Sequence, residues 1–393
     1  MTVDSAVLDD RSARAWLSVS VEPGMPAVAQ LVEEVGAPEA VRALSAGRPV
    51  PDVRPGTDPD PASTAAAVLA AGAASGLRWL CPGDDEWPAG LGGGLSHAGT
   101  LHRRGGVPYG LWVRGDHVLE RVCRQAVAVV GARSSTSYGD DTAGDIAAGL
   151  GDAGVTVVSG AAYGIDAAAH RGALAVGGAT VAVLACGADV VYPRGHDGLL
   201  ARAVAAGSVV SEAPPGAHPA KVRFLARNRL IAAMTQVVVV VEAGWRSGAL
   251  NTLAWGNRLH RSCVGVPGPV SSTASAGVHL ALREHRAELV TGAAEVREAL
   301  ALIGTEPPDG VSAWNRGELR DTDGLGTEQL DVLEVLEVTT GMTVADVAGR
   351  TPLPRDAARQ VLAMLAERSL VRCLDDGWRR AALPRGHDDR TLP

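Results

Sequence analysis

The sequence predicts an α/β protein built on a doubly wound, mostly parallel sheet, with an N-terminal helical domain and a C-terminal winged-helix domain. Three observations carry this expectation. From about residue 79 to 303, short β-branched runs alternate with Ala/Leu-rich amphipathic stretches. Residues 237–241 are consecutive valines with no polar alternation, the pattern of a strand covered on both faces. Beyond residue 324, three short helical segments precede a hairpin signal.

Residues 1–78 are Ala-rich, with helical spacing over 13–19, 27–35 and 39–44 and Pro/Asp/Gly punctuation at 49–61 before a second Ala-rich stretch. They predict a small helical domain. Residues 79–303 form the sheet domain, with strands expected at 126–130, 155–159, 179–185, 208–212, 236–242 and 262–267. Each is followed by a Gly-containing loop and a helix-like segment, the order of a doubly wound sheet. Residues 304–324 are rich in Gly, Pro and charge and read as a linker. Residues 325–383 follow as the winged helix, with helices at 327–338, 344–350 and 355–368 and a tight turn at Asp376-Gly377, and 384–393 as a tail.

Hydrophobic residues make up 46% and charged residues 20% of the 393-residue chain, which excludes wholesale disorder and fibrous classes. No run of 18 apolar residues occurs, and Asp4, Asp9 and Asp10 stand where a signal peptide needs a basic start and an apolar stretch. A cytoplasmic location is expected. Cys81, Cys123, Cys186, Cys263 and Cys373 are scattered, odd in number and without a CxxC pair, so they read as reduced structural thiols. The net charge of −8 argues against a surface coated by nucleic acid but leaves room for a local basic site.

In a doubly wound sheet, ligands bind beyond the carboxyl ends of the strands, where loops and helix N-termini converge. The loops there are 131–139, 159–166, 186–193, 211–214, 242–248 and 266–269. Their glycines permit close backbone approach, and their hydroxyl and N–H groups suit phosphates. The first lacks GxGxxG, and the second strand ends in Ser159-Gly160 instead of a ribose-binding acid, so no dinucleotide cofactor is expected. A Gly-Lys-Ser/Thr loop is absent because the only lysine, Lys221, lies elsewhere, and no HxxxH, HExxH or paired-carboxylate spacing marks a metal site.

Residues 221–229, KVRFLARNR, hold four positive charges and no acid, and contain both the sole lysine and the sole phenylalanine, Phe224. A cation for phosphate plus one aromatic face for a base is the minimal kit for single-stranded nucleic acid, with stacking contributing about 1–3 kcal/mol per base. The alternative is a core Phe224 at a helix entrance beside solvated arginines. The Gly-rich exit loop of the next strand, on the same sheet edge, favours the first reading.

Taken together the loops resemble the DNA-processing protein A (DprA/Smf) family. The resemblance rests on Gly131-x-Arg133 with Tyr138-Gly139, and on Ser159-Gly160-x-Ala162-x-Gly164-Ile165-Asp166 with Ala169-His170 and Gly172-Ala173-Leu174. Tyr192-Pro193, Ser211-Glu212, Phe224 with Arg227-Asn228-Arg229, Glu242 with Ser247-Gly248, and Val266-Pro267-Gly268 follow in order, so it spans about 80–290. It implies a Rossmann-like single-stranded DNA-binding protein that loads the RecA recombinase in recombination and natural transformation. It also implies a homodimer with no established catalytic chemistry. By this resemblance Arg133, Lys221, Phe224 and Arg227 are DNA contacts, with Phe224 stacking on a base and Arg133 and Lys221 engaging phosphates. Asn228 and Arg229 belong to the same motif, and Ser159, Gly160, Ser247 and Gly248 lie in loops that offer backbone N–H groups. Asn251-Thr252-Leu253 and Trp245-Arg246 depart from the family pattern, with altered base contacts and simple packing both open for these departures.

The rival class is a nucleotide hydrolase of the phosphoribohydrolase type, which needs a PGGxGTxxE-like loop that 242–248 does not reproduce. Asp166 is expected to cap the helix it opens, and His170 to satisfy a buried hydrogen bond rather than form a catalytic pair. Glu212 and Glu242 are expected to brace loops or cap helices rather than serve acid–base hydrolysis. Trp16, Trp79, Trp87, Trp112, Trp314 and Trp378 read as packing anchors. For the N-terminal helices, packing or partner docking is a simpler role than contact with a DNA backbone. In the expected recognition helix, Arg355, Arg359 and Arg368 are offset by Asp356 and Glu367, weak for duplex binding, so protein docking stands beside it.

Overall fold

A computed structural model describes residues 8–51, 53, 57–301 and 324–381. The expected linker, apart from Gly324, the tail 384–393 and Trp314 lie outside the described residues. The chain divides into two compact units, within Met1–Ser312 and within Ala313–Pro393.

Four helices open the first unit: α1 Asp10–Ser20, α2 Pro26–Val35, α3 Ala37–Ser45 and α4 Pro61–Ala74. Asp9 and Asp60 accept the N–H groups of Ser12 and Ser63, which caps α1 and α4. Proline opens α2 and α4, where its missing N–H leaves no bond unmade. Trp16, Leu17, Val28 and Val41 close a small core with Tyr109.

Nine strands form one sheet: β1 Arg78–Leu80, β2 Leu111–Arg114, β3 Ala126–Val130, β4 Thr156–Ser159, β5 Thr180–Leu184, β6 Ser208–Ser211, β7 Val237–Val240, β8 Ser262–Gly265 and β9 Glu288–Leu289. Their spatial order is β1-β2-β6-β5-β4-β3-β7-β8-β9. From β6 to β9 all neighbours are parallel, in register as Val127↔Val237 between β3 and β7, and β2 runs antiparallel to both β1 and β6. The mostly parallel, doubly wound sheet expected from the valine runs is the one observed.

The connecting helices are α5 Ser137–Asp152, α6 Ile165–Ala175, α7 Asp197–Ala206, α8 Lys221–Ala233, α9 Ala249–Arg258, α10 Ala276–Arg283 and α11 Ala293–Leu300. Ile146 of α5, Ile165 of α6 and Val296 of α11 cover Val127, Val129, Val237 and Val239 on one face. Leu230 and Ile231 of α8 with Leu253 and Trp255 of α9 cover Ala128, Val130, Val238 and Val240 on the other. Strands buried on both sides explain the unbroken valine runs. The N-terminal helices, although distinct in composition, pack as part of this unit. A Cβ on Gly72 of α4 would overlap the Trp112 ring of β2, so the helix lies flush on the sheet edge.

The second unit holds α12 Thr327–Val335, α13 Val344–Arg350 and α14 Arg355–Glu367, then the antiparallel pair β10 Val371–Leu374 and β11 Gly377–Arg380. Three helices and a hairpin follow in the expected order. The hairpin register pairs Leu374 with Gly377, so the turn is Asp375-Asp376, one residue earlier than the Asp-Gly signal suggested. Gly377 has φ +124, and a Cβ there would lie 2.7 Å from the Met342 carbonyl oxygen. It is reserved for the close approach of Met342, which exchanges two backbone bonds with Trp378 at 2.8 and 2.9 Å.

Candidate nucleic-acid interface

The strand order reverses between β3 and β7, because α8 carries the chain from β6 past β3 to the other half of the sheet. Their exit loops part at that point, and a crevice opens there by the general rule for doubly wound sheets. It has a volume of about 840 Å³, walled by the β3 exit loop, the β7 exit loop and α8. Lys221, Phe224, Leu225 and Asn228 turn toward it from α8, at the i, i+3, i+4, i+7 spacing of one helix face.

Lys221 is the first residue of α8, whose first turn holds no acid. A cation there opposes the helix dipole and weakens the helix, yet adds to the positive potential of the free N–H groups. That arrangement suits an anionic ligand. Arg133 leaves the β3 exit loop and sets its guanidinium carbon 4.5 Å from the Phe224 ring centroid. Tyr192 stands beside the same ring, centroids 6.0 Å apart and tilted by 56°. Phe224 is thus half-buried at the rim, with one face covered by a cation.

The other cations of 221–229 do not form an open patch. Arg223 pairs with Glu22 at 2.9 Å. Arg227 is buried at the crevice floor, where its Nη1 donates to the Val183 carbonyl oxygen at 2.7 Å. A Cβ on Gly160 would overlap its guanidinium, so this glycine serves Arg227. Burial pushes the Arg227 pKa down and the Asp166 pKa up, and the charge of each opposes the shift in the other. Arg229 corrects the sequence expectation: it is fully buried, and both terminal nitrogens donate to the Glu212 carboxylate at 2.7 Å. It lies on the face of α8 that carries Ala226 and bonds the Gly106 carbonyl oxygen, away from the crevice. Ser159 is buried as well, its hydroxyl donating to the Val129 carbonyl oxygen at 2.6 Å, so it joins β4 to β3 instead of facing a ligand.

Asn228 braces the β7 exit loop, donating to the Gly248 carbonyl oxygen and to Asn251 Oδ1, both at 3.2 Å. Ser247 accepts from the Ala249 N–H, and Gly248 precedes α9 as its N-cap. Glu242, buried at the end of the same strand run, accepts the Thr136 N–H at 2.9 Å and the Thr136 hydroxyl at 2.7 Å, while Thr136 caps α5. The two exit loops are therefore tied to each other. Glu212 braces through Arg229, as the bracing reading expected of both carboxylates. Asp166 departs from the simple capping role: it accepts the N–H of Ala162, in the loop before α6, at 3.4 Å.

His170 is buried, with Nδ1 2.7 Å from Thr180 Oγ1, whose hydroxyl donates to the Val157 carbonyl oxygen. The Thr180 proton is spent there, so His170 must donate from Nδ1. Cys81, Cys123 and Cys263 are buried with thiols pushed up to about 12, and Cys186 to about 11. Cys373 is exposed. Among the described residues, no helix is long and apolar enough to cross a membrane.

Of the rings at the crevice edge, Tyr163 was not singled out from the sequence, Tyr192 was named only as part of a family motif, and Trp245 only as a departure from the family pattern. Tyr163, Tyr192 and Trp245 are exposed, and the two tyrosines line a small recess of about 40 Å³ with Arg133 and Phe224. Tyr138, Tyr163 and Tyr192, three of only four tyrosines in the chain, fall in strand-exit loops, which was the available signal.

The class defined is a Rossmann-like α/β protein whose switch-point crevice carries exposed cations and aromatic rings, groups that can meet phosphates and bases. The family model described as DNA recombination-mediator protein A matches residues 78–301. The chain is 43% identical over 381 residues to a DNA processing protein DprA of Mycobacterium tuberculosis, covering 94% of this chain and 95% of the relative. It is 34% identical over 282 residues to the protein Smf of Escherichia coli, covering 71% of each. The X-ray structure of DprA from Streptococcus pneumoniae superposes with a TM-score of 0.56 at 27% identity, covering 74% of this chain and 97% of that one. This chain belongs to the DprA/Smf family of DNA-processing proteins.

Proposed function

We propose that the chain captures single-stranded DNA in the switch-point crevice and delivers it to the RecA recombinase, as a non-catalytic, cytoplasmic mediator that works as a homodimer. The observation that carries the reading is the Arg133–Phe224 pair beside Lys221: a half-buried ring and two exposed cations at one rim. Phosphates attract the cations, and an unpaired base stacks on the ring or displaces Arg133 from it. The groups that a hydrolase would use are already engaged. Glu242 holds Thr136, Glu212 holds Arg229, and His170 is buried against Thr180. Family membership is what supports reading delivery to RecA, a role in transformation and self-association into this chain. The helices and hairpin of the second unit are read as a winged helix.

The test is a fluorescence titration with an oligo-dT strand. Binding that falls steeply with salt, and weakens in Phe224→Ala, supports the reading. Absence of binding by the intact chain, or release of free base from nucleoside monophosphates, overturns it.

A further inference from the structure

Trp245 is 65% exposed at the tip of the β7 exit loop, yet it lines the same crevice as Phe224. An indole left in water forgoes a large hydrophobic gain, so a ring this open is expected to meet a partner. Trp245 takes part in none of the ring–ring or cation–ring contacts among the described residues. The loop beneath it is held at both ends. Gly277 N–H donates to the Ala243 carbonyl oxygen at 2.7 Å, Ser247 N–H to that of Gly244 at 3.0 Å, and Asn228 to that of Gly248 at 3.2 Å. A braced turn with an outstanding ring is a preorganised platform. Arg246, next to it, is exposed and lines the crevice too.

The two rings differ in what already covers them. Phe224 carries the Arg133 guanidinium on one face and Tyr192 beside it. Trp245 has no such cover and arrives from a separate element. We infer that Trp245 is a second base-stacking platform for single-stranded DNA, with Arg246 taking an adjacent phosphate, so that a strand entering at Phe224 continues over the β7 exit loop. This inference rests on the proposed single-strand binding and extends it to residues outside the family motifs.

The experiment titrates the full chain, Trp245→Phe, Trp245→Ala, Arg246→Ala and Phe224→Ala with oligo-dT and with an abasic strand of equal length. Binding of oligo-dT quenches tryptophan emission in the wild type, and Trp245→Phe loses that component while keeping its affinity within about threefold. Trp245→Ala binds oligo-dT about 5- to 150-fold more weakly, as loss of one stacked base predicts, and shows no such penalty on the abasic strand. Arg246→Ala lowers the slope of log affinity against log salt by about 0.7. If Phe224→Ala weakens binding but Trp245→Ala does not, the inference fails and the proposed function stands. A Trp245→Ala protein that loses oligomer mass in sedimentation while retaining oligo-dT affinity assigns the ring to a second copy and also overturns the inference. If the wild-type chain binds neither strand, the proposed function itself fails.

Discussion

The guanidinium of Arg227 occupies the space that a side chain at Gly160 would need. Arg227 cannot swing clear without giving up the Val183 carbonyl oxygen and its place beside Asp166. Gly160→Ala is therefore an overpacking change, expected to destabilise by about 1–3 kcal/mol. Urea denaturation measures it. Adding Arg227→Ala should cost less in Gly160→Ala than in the wild type, because the two residues compete for one volume. Equal midpoints for wild type and Gly160→Ala would mean that Arg227 is not fixed in this slot.

Arg229 separates a structural cation from a ligand-facing one within a single motif. Arg229→Met leaves Glu212 buried and unpaired, which costs about 3–5 kcal/mol, whereas replacing both by apolar residues recovers much of that loss. Denaturation midpoints of Arg229→Met and of Arg229→Met/Glu212→Met test this. Lys221→Ala should leave stability near the wild-type value and weaken only the binding of single strands, because Lys221 is exposed at an unfavourable end of its helix.

The same contrast shows what was legible before the fold was known. The valine run 237–241 and the glycine-bearing exits announce a doubly wound sheet because both signals are local. The fate of each arginine in 221–229 is not local. Arg223 is neutralised by Glu22, 201 residues away, and Arg229 by Glu212, 17 residues away on another element. Composition shows four charges, but helix phase and tertiary packing leave Lys221 at the rim and recruit Arg133 from a distant loop. The short edge strands β1 and β9, of three and two residues, carry too little pattern to read, and they are defined by their pairing. For Trp245 the choice between base contact and packing stayed open because exposure depends on how the loop beneath it is braced.

His170 makes a pH dependence. Burial pushes its imidazole down to about 3 from the ordinary 6.5, so the unfolded chain takes up a proton near pH 6.5 that the folded chain refuses until about pH 3. The stability tied to neutral His170 is complete above pH 6.5 and declines as the pH falls toward 3, by at most about 1.4 kcal/mol per pH unit. Comparing urea midpoints at pH 7 and pH 5 tests the sign: wild type should lose more stability between them than His170→Gln. A larger loss in the variant would show that the imidazole is charged in the folded state.

Salt dependence distinguishes cations that meet phosphate from cations that hold the fold. For single strands each neutralised phosphate contributes about 0.7 to the slope of log affinity against log salt. Arg133→Ala and Lys221→Ala should each reduce the slope by about that amount, while Arg223→Ala, already paired with Glu22, should leave it nearly unchanged. Arg133 differs from Lys221 in one further respect: removing it uncovers the Phe224 face that its guanidinium overlies. In Arg133→Ala the loss of charge weakens binding at low salt, while the freed ring offers a base more area. Its affinity should therefore approach the wild-type value at high salt, where the phosphate contribution is screened and stacking dominates. With equal slopes the Arg133→Ala curve should run parallel to that of Lys221→Ala but at higher affinity, and coincident curves would show that Arg133 acts through charge alone and that its place over the ring has no part in binding.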